Sequence, residues 1–152
     1  MILPRSVKRG FFFSNKSTDF IYTSVIELTK GQTSEKIIVT LNELKTLNEP
    51  YYLFVFTHVT TKEVVNIIYA EGADESSYPE RSNQFDINTQ SVFGTKPVGQ
   101  WNYTVYEQES DTNTDTENAT GIVEYGKMIL KPSTDFAYEE YNTTTTFKTY
   151  NG

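Results

Sequence analysis

The sequence predicts an all-β fold, a single antiparallel β-sandwich with extended termini, and three observations support this prediction. Apolar and polar residues alternate in several short runs, which is the two-residue period of half-buried strands. Aromatic residues make up 14% of the chain and stand among many Val, Ile and Thr residues, which favour strands. No helical period persists for three turns. Turn signals between the runs predict seven to nine strands in an immunoglobulin-like or jelly-roll order.

The length of 152 residues suits one domain with a core of its own. We predict an N-terminal arm and first strand over residues 1–18, the β-sandwich over residues 19–141, and an extended C-terminal tail over residues 142–152. The tail is β-prone and has few apolar residues. We therefore expect it to lie along a sheet edge of its own or another subunit.

The first strands of the sandwich are predicted by alternation. Residues 19–28 and residues 35–41 each place their apolar side chains on one parity, which are Phe20, Tyr22, Ile26 and Leu28 in the first run and Ile37, Val39 and Leu41 in the second. Residues 42–49 form a polar connection that ends at Pro50.

The next run, residues 51–56, is apolar on both parities, which predicts a central strand that is covered on both faces. Residues 57–62 predict a hairpin connection, because residues 63–69 resume a β-branched run. We expect these two strands to pair antiparallel.

Residues 70–83 are charged, small and proline-containing, and we interpret this long loop as a contact surface. Residues 84–89 predict a weak strand and residues 94–99 a loop. Residues 100–108 predict a strong strand in which Trp101, Tyr103 and Val105 share a face. We expect Trp101, the only tryptophan, to pack in the core.

Residues 109–120 are polar and acidic, which predicts an exposed hairpin tip. Residues 122–130 follow it. They predict two short strands that are broken at Gly126.

Composition limits the classes of function. The net charge of −7 repels phosphate, so we expect no direct contact with nucleic acid. The absence of cysteine excludes disulfides, thiolate zinc sites and cysteine nucleophiles, and it fits synthesis in a reducing cytoplasm. No apolar run reaches the ~18 residues of a membrane span, and no signal peptide is expected.

Few residues suggest chemistry. A catalytic triad would have to use His58, the only histidine. A histidine at the end of a strand usually has a structural role, and we expect this role for His58. Asp111, Asn113, Asp115 and Glu117 alternate like calcium ligands, but Thr116 and Ile122 replace the expected glycine and closing acid. No pair among the 20 acidic residues stands out as a glycosidase pair. We therefore predict no catalytic, cofactor-binding or metal-binding residue and no cofactor.

Several residues suggest contacts instead. Arg5, Lys8 and Arg9 precede an aromatic run, Phe11–Phe13, which could bind an acidic neighbour or could simply begin a first strand. Exposed tyrosines could anchor an interface or contact sugars; the candidates are Tyr78, Tyr138, Tyr141 and Tyr150.

Three segments together resemble a known class of proteins. They are residues 40–45 running into residues 50–57, residues 99–107 (GQWNYTVYE) and residues 123–128 (VEYGKM). These segments resemble small β-sandwich virion proteins of tailed bacteriophages, including the crAss-like phages and others of Bacteroidetes hosts. The resemblance covers residues 40–130 and implies an auxiliary capsid, head-fibre, neck-ring or tail-attached subunit. It implies no functional residue, because its motifs are structural.

The sequence therefore predicts a non-enzymatic structural component of a virion, made in the host cytoplasm. Its expected partners are copies of itself and neighbouring capsid, portal, neck or tail subunits, without a membrane. The contacts are expected at the loop of residues 70–83, the N-terminal arm and the tail after Tyr141. The alternative is a carbohydrate- or receptor-binding module attached to the particle.

Overall fold

The structure is a computed structural model that describes residues 25–134, and its seven strands form two sheets. The strands are β1 (Val25–Thr29), β2 (Glu35–Val39), β3 (Tyr51–His58), β4 (Val64–Ala70), β5 (Asn83–Ile87), β6 (Gly99–Gln108) and β7 (Gly121–Lys131). The larger sheet has the order β1-β7-β6-β3-β4, and β2 pairs with β5 in the smaller one. The predicted all-β sandwich is confirmed. The predicted arm of residues 1–18 and tail of residues 142–152 lie outside the described residues.

The strand order is that of an immunoglobulin-like sandwich. Four adjacent strands, β7-β6-β3-β4, follow the order of the larger sheet of a variable-type domain, and β2 and β5 face them as the second sheet. One pair departs from the antiparallel expectation, because β1 runs parallel to β7, from Val25 beside Lys127 to Thr29 beside Lys131. Parallel neighbours need a long connection, and nearly the whole domain lies between these two strands.

The core lies between the two sheets and is aromatic. Its largest fully buried side chains include Trp101, Tyr103, Phe54, Phe85 and Phe93. Their rings meet edge to face, with centroids 5.7 Å apart for Phe54 and Phe85 and 5.3 Å apart for Phe93 and Trp101. Such pairs stabilise a fold beyond the area that they bury. The core position predicted for Trp101 is confirmed, and its indole N–H donates to the carbonyl of Pro97.

The run of residues 51–56 belongs to β3, which lies between β4 and β6, so the middle strand of the sheet is β6 and not β3. We predicted that β3 is covered on both faces. Leu53 confirms this at one position, because it is fully buried and yet is not part of the main core cluster. On that outer side, the β6–β7 connection folds back far enough for the Asn66 side chain of β4 to donate to the carbonyl of Thr114.

One local prediction is wrong, and one short element was not predicted. The chain is not broken at Gly126, because β7 is one continuous strand in which Gly126 pairs with Tyr103. The register shifts between Val105 and Tyr106 of β6, and Val123 is the extra residue on β7. A short helix, α1 (Thr89–Phe93), begins the stretch before β6, and the Asn88 side chain caps it by accepting from the Ser91 amide. A five-residue helix is too short to leave a period in the sequence.

Candidate functional site

Three connections of the chain meet at one end of the sandwich. β2, β4 and β6 end there, and β3, β5 and β7 begin there. The connections are residues 40–50, residues 71–82 and residues 109–120, and we call this group the acidic end. In immunoglobulin-like sandwiches, loops grouped at one end carry recognition.

The three connections carry more net negative charge than the chain as a whole. They contain two basic residues, Lys45 and Arg81, and ten acidic ones: Glu43, Glu49, Glu71, Asp74, Glu75, Glu80, Glu109, Asp111, Asp115 and Glu117. Their net charge of −8 exceeds the −7 of the entire chain. Within residues 25–134, negative charge is therefore concentrated at one end of the sandwich, and a field of this kind attracts positively charged partners to that end.

The first connection is held in place by the buried carboxylate of Glu107, near the end of β6. This carboxylate accepts the backbone N–H groups of Thr46 and Leu47, at 2.9 Å and 3.0 Å, and the hydroxyl of Thr46. Burial, the largest effect, would raise the pKa of Glu107. These hydrogen bonds and the charge of Lys45 outweigh burial and hold the pKa below its ordinary value.

The second connection is held by Asp74. One of its carboxylate oxygens accepts the backbone N–H groups of Ser76 and Gln84, at 2.9 Å and 2.8 Å, and the other accepts the Asn83 amide at 2.7 Å. Asn83 in turn accepts the N–H of Leu41 at 2.8 Å. One chain of hydrogen bonds thus joins the connections before β3 and before β5 into a single surface.

A pocket of about 290 Å³ opens in this surface, lined by Asn42, Glu71, Asp74, Ser76, Pro79 and Asn83. One oxygen of Glu71 binds the ammonium of Lys45, which leaves its second oxygen available. A second pocket of the same size adjoins the first at Glu71 and is lined by Glu49, Pro50, Tyr51, Ala70, Glu71 and Gly72.

Within residues 25–134, two buried polar atoms have no hydrogen-bond partner: the side-chain oxygen of Asn42, a residue of the first pocket, and the hydroxyl of Tyr52, a residue that lines neither pocket. Tyr52 is fully buried. Burial is the largest cause that raises its pKa, followed by the charges of Glu71, Glu107 and Asp74, so the hydroxyl stays protonated. Buried polar atoms are rarely left unpaired.

The opposite end of the sandwich is made by residues 30–34, residues 59–63 and residues 94–98, and we call it the basic end. Its charged residues are Lys30, Lys62, Lys96 and Glu63, and Lys96 is paired with Glu63 at 3.3 Å. Lys62 is exposed at the tip of the β3–β4 hairpin, where its φ is +64°. None of the ion pairs among residues 25–134 involves Lys62.

His58 has a structural role at the basic end. It is buried, it packs edge to face on Trp101 with ring centroids 4.9 Å apart, and its Nδ1 accepts the Thr61 N–H at 3.0 Å. Its Nε2 then carries the proton and donates to the Val98 carbonyl at 3.2 Å. Both ring nitrogens are used, one within the hairpin tip and one on the loop before β6, so His58 is a satisfied strand-end histidine.

The residues that resemble calcium ligands bind their own loop. The Asn113 side chain accepts the Asp115 N–H, and Asp115 accepts the Glu117 N–H and the Asn118 amide. Within residues 25–134, no three histidine or acidic side chains are close enough to hold a metal ion together. In the same range, no helix is long and apolar enough to cross a membrane.

The contact loop predicted at residues 70–83 supplies five of the six residues that line the first pocket. Tyr78 is 65% exposed beside it, as expected for an interface tyrosine. The sequence analysis missed Leu44, which is 61% exposed in the same end, and the buried groups of Asn42, Tyr52 and Glu107. Arg5, Lys8, Arg9 and the remaining candidate tyrosines, Tyr138, Tyr141 and Tyr150, lie outside the described residues.

Comparisons with known proteins add no family to this description. No family model matches the chain, and no curated protein matches it.

Proposed function

We propose that this protein is a non-catalytic structural subunit of a tailed-phage virion that binds copies of itself and neighbouring capsid, portal, neck or tail subunits. One observation carries the proposal: the charge is segregated along a rigid sandwich, with a net −8 in the three connections of the acidic end. A subunit whose two ends differ in charge can orient a neighbour before contact and select it by electrostatic complementarity.

The construction of the acidic end supports this role. Two of the three connections that carry the charge, residues 40–50 and residues 71–82, are joined to the core strands by Glu107, Asp74 and Asn83 through hydrogen bonds to backbone N–H groups. A surface that is already ordered loses little conformational entropy when it binds a partner. The resemblance of residues 40–130 to phage β-sandwich proteins supports location in a particle, and symmetry in a particle multiplies weak contacts.

The direct test is quantitative mass spectrometry of purified particles from the source phage, with the major capsid protein as the internal reference. We expect the chain at a fixed ratio to the capsid protein after particles are washed at moderate salt. Tens to hundreds of copies indicate the capsid shell, and about a dozen indicate the neck or tail. Absence of the chain from intact particles overturns the proposal.

A carbohydrate- or receptor-binding module is the second candidate, favoured by the exposed ring of Tyr78 beside a polar pocket. Trp101 does not support it, because its side chain is fully buried. A glycan array probed with the chain and with Tyr78→Ala separates the two roles. Specific binding that Tyr78→Ala abolishes favours this candidate, and an array without signal counts against it.

A further inference from the structure

β4 is an edge strand of the larger sheet and lacks the features that usually protect an edge. It pairs with β3 on one side, and the sheet ends on its other side. Its sequence, VVNIIYA, has no charged residue and no proline, and its register with β3 contains no bulge. The other strands with an open side, β1, β2 and β5, contain Glu27, Lys36 and Asp86. Charges, prolines and bulges prevent edges from pairing with other chains, so β4 is the edge that remains open to a further strand.

The hydrogen bonds at the two ends of the β3–β4 pair show which backbone groups of β4 face outward. The His58 N–H donates to the Glu63 carbonyl before β4, and the Glu71 N–H donates to the Pro50 carbonyl after it. Bonded and non-bonded positions alternate in an antiparallel pair, so the odd-numbered residues of β4 bond to β3. The even-numbered residues direct their N–H and C=O groups outward, and these are Val64, Asn66, Ile68 and Ala70. Within residues 25–134, these outward groups have no hydrogen-bond partner.

An antiparallel second copy of β4 fits these groups in one register. With the two-fold axis at Ile67, Val64 lies opposite Ala70 of the second copy, and Asn66 lies opposite Ile68. Each outward N–H then meets an outward carbonyl, because the even-numbered residues pair completely with one another. A shift of the register by two residues leaves one of them without a partner in each copy. The edge is therefore complementary to itself in a single alignment.

The side chains that meet in this register are compatible. Val65 lies opposite Tyr69 of the second copy, and the two Ile67 side chains lie opposite each other. Pairs of β-branched and aromatic residues across strands stabilise a sheet. Glu63 and Glu71 lie opposite each other just beyond the strand, but each carboxylate is bound to a lysine of its own chain. Contact between the copies therefore brings no unpaired like charges together at the strand ends.

The charge of the two ends favours the antiparallel arrangement of the copies. β4 leads from the basic end to the acidic end, since Lys62 precedes it and Glu71 follows it. Antiparallel pairing places each acidic end beside the basic end of the other copy. Parallel pairing would place two acidic ends side by side, each with a net charge of −8. The segments outside the described residues continue from β1 and β7, at the opposite edge of the sheet, so a second copy reaches β4 more directly than they do.

We propose that β4 binds β4 of a second copy in the antiparallel register centred on Ile67, so that two five-stranded sheets join into one continuous sheet. The inference rests on the proposed function, in which the protein binds copies of itself, and it names the surface that does so. The interface is isologous, because the same strand of both copies takes part. It therefore closes as a dimer, and this dimer is the unit that neighbouring subunits bind.

Sedimentation velocity of the full chain over a range of concentrations tests the interface. We expect a monomer and a dimer in exchange. Ile68→Pro should raise the dissociation constant about tenfold or more, because proline removes an outward N–H that β3 does not use. Ile68→Ala is the matched control, since it keeps that N–H, and it should retain most of the affinity. A wild-type chain that stays monomeric throughout, or equal losses in both variants, overturns the proposal.

Cross-linking tests the register with the backbone of β4 left intact. The chain has no cysteine, so each introduced cysteine is the only one. In Ile67→Cys, the two cysteines lie at a non-bonded position with Cα atoms about 4.5 Å apart, within the range of a disulfide. In Ile68→Cys, they are diagonal neighbours roughly 7–8 Å apart, beyond the usual range. Under mild oxidation, Ile67→Cys should form a covalent dimer and Ile68→Cys should not.

The cross-link also identifies the occupant of the edge. If the wild-type chain dimerises but Ile67→Cys forms no covalent dimer, another segment, such as residues 142–152, pairs with β4 and the proposal is wrong. Covalent dimers of Ile68→Cys alone contradict the register. Particle composition is measured separately, so a chain that dimerises but is absent from virions refutes the proposed function and not this interface.

Discussion

Glu107 and Thr46 are joined across 61 positions of the sequence, because the carboxylate of one accepts both the N–H and the hydroxyl of the other. Glu107 is 2% exposed, at the end of the middle strand, and Thr46 lies in a connection without regular structure. The pair fixes a loop of the acidic end to the most enclosed strand of the domain. The stability of the core and the shape of the binding surface are therefore linked at one carboxylate.

Glu107→Gln should lower the free energy of unfolding by about 2 kcal/mol, because an amide replaces a charged acceptor of several hydrogen bonds. Glu109→Gln, an exposed residue two positions along the chain, is the matched control and should change it by less than about 0.5 kcal/mol. Urea unfolding followed by the emission of Trp101 measures both. Equal small effects would contradict the role given to Glu107.

The same carboxylate predicts a dependence on pH. Its folded-state pKa lies below the ordinary value of 4.5, so its contribution to stability is fully present above pH 4.5 and is lost as the pH falls through the lower folded value. The difference in stability between wild type and Glu107→Gln should therefore be constant near neutral pH and shrink below pH 4.5. Urea unfolding at intervals from pH 7 to pH 3 tests this, and a difference that grows on acidification would refute it.

Tyr52→Phe and Tyr69→Phe remove the same atom and should have opposite effects. The Tyr52 hydroxyl has no partner, so its removal should raise the free energy of unfolding of the monomer by about 1 kcal/mol. The Tyr69 hydroxyl donates to the carbonyl of Asp86 at 2.9 Å, so its removal should lower it by about 1 kcal/mol. Thermal and urea unfolding of dilute samples compare the two variants. Destabilisation by both changes would show that the Tyr52 hydroxyl is satisfied.

His58→Leu should lower the free energy of unfolding by about 1–3 kcal/mol, because it leaves the Thr61 N–H and the Val98 carbonyl without their partner. Thr60→Ala, an exposed neighbour in the same turn, should be nearly neutral. Hydrogen exchange of the Thr61 amide gives a local readout. It should become faster in His58→Leu, and unchanged protection would contradict the hydrogen bond.

The fold could be predicted where side-chain parity decides which face of a strand is buried. Trp101, Tyr103 and Val105 share a parity and share the core, as do Ile37 and Val39. The sequence pattern gave a wrong prediction at a glycine inside a strand. Gly126 suggested a break because glycine weakens strands, but here it lies opposite Tyr103 in the register of a continuous β7.

The candidate site could be predicted only in part, because its residues come from connections that only the strand order brings together. The loop of residues 70–83 was predicted as a contact surface from its composition, but Asn42 and Tyr52 gave no signal. Glu107 did give one, since it follows Trp101, Tyr103 and Val105 at the same parity and therefore faces inward. An acidic residue at a core position indicates a buried carboxylate with dedicated partners.

The parallel pairing of β1 and β7 determines how the domain responds to tension. These strands run side by side in the same direction, and the chain enters β1 at Val25 and leaves β7 at Lys131. A load pulling the flanking segments apart therefore slides the two strands along each other, and all hydrogen bonds between them resist together. An antiparallel pair pulled in the same way would open one bond at a time. The domain should thus withstand stretching between its flanks better than its overall stability suggests.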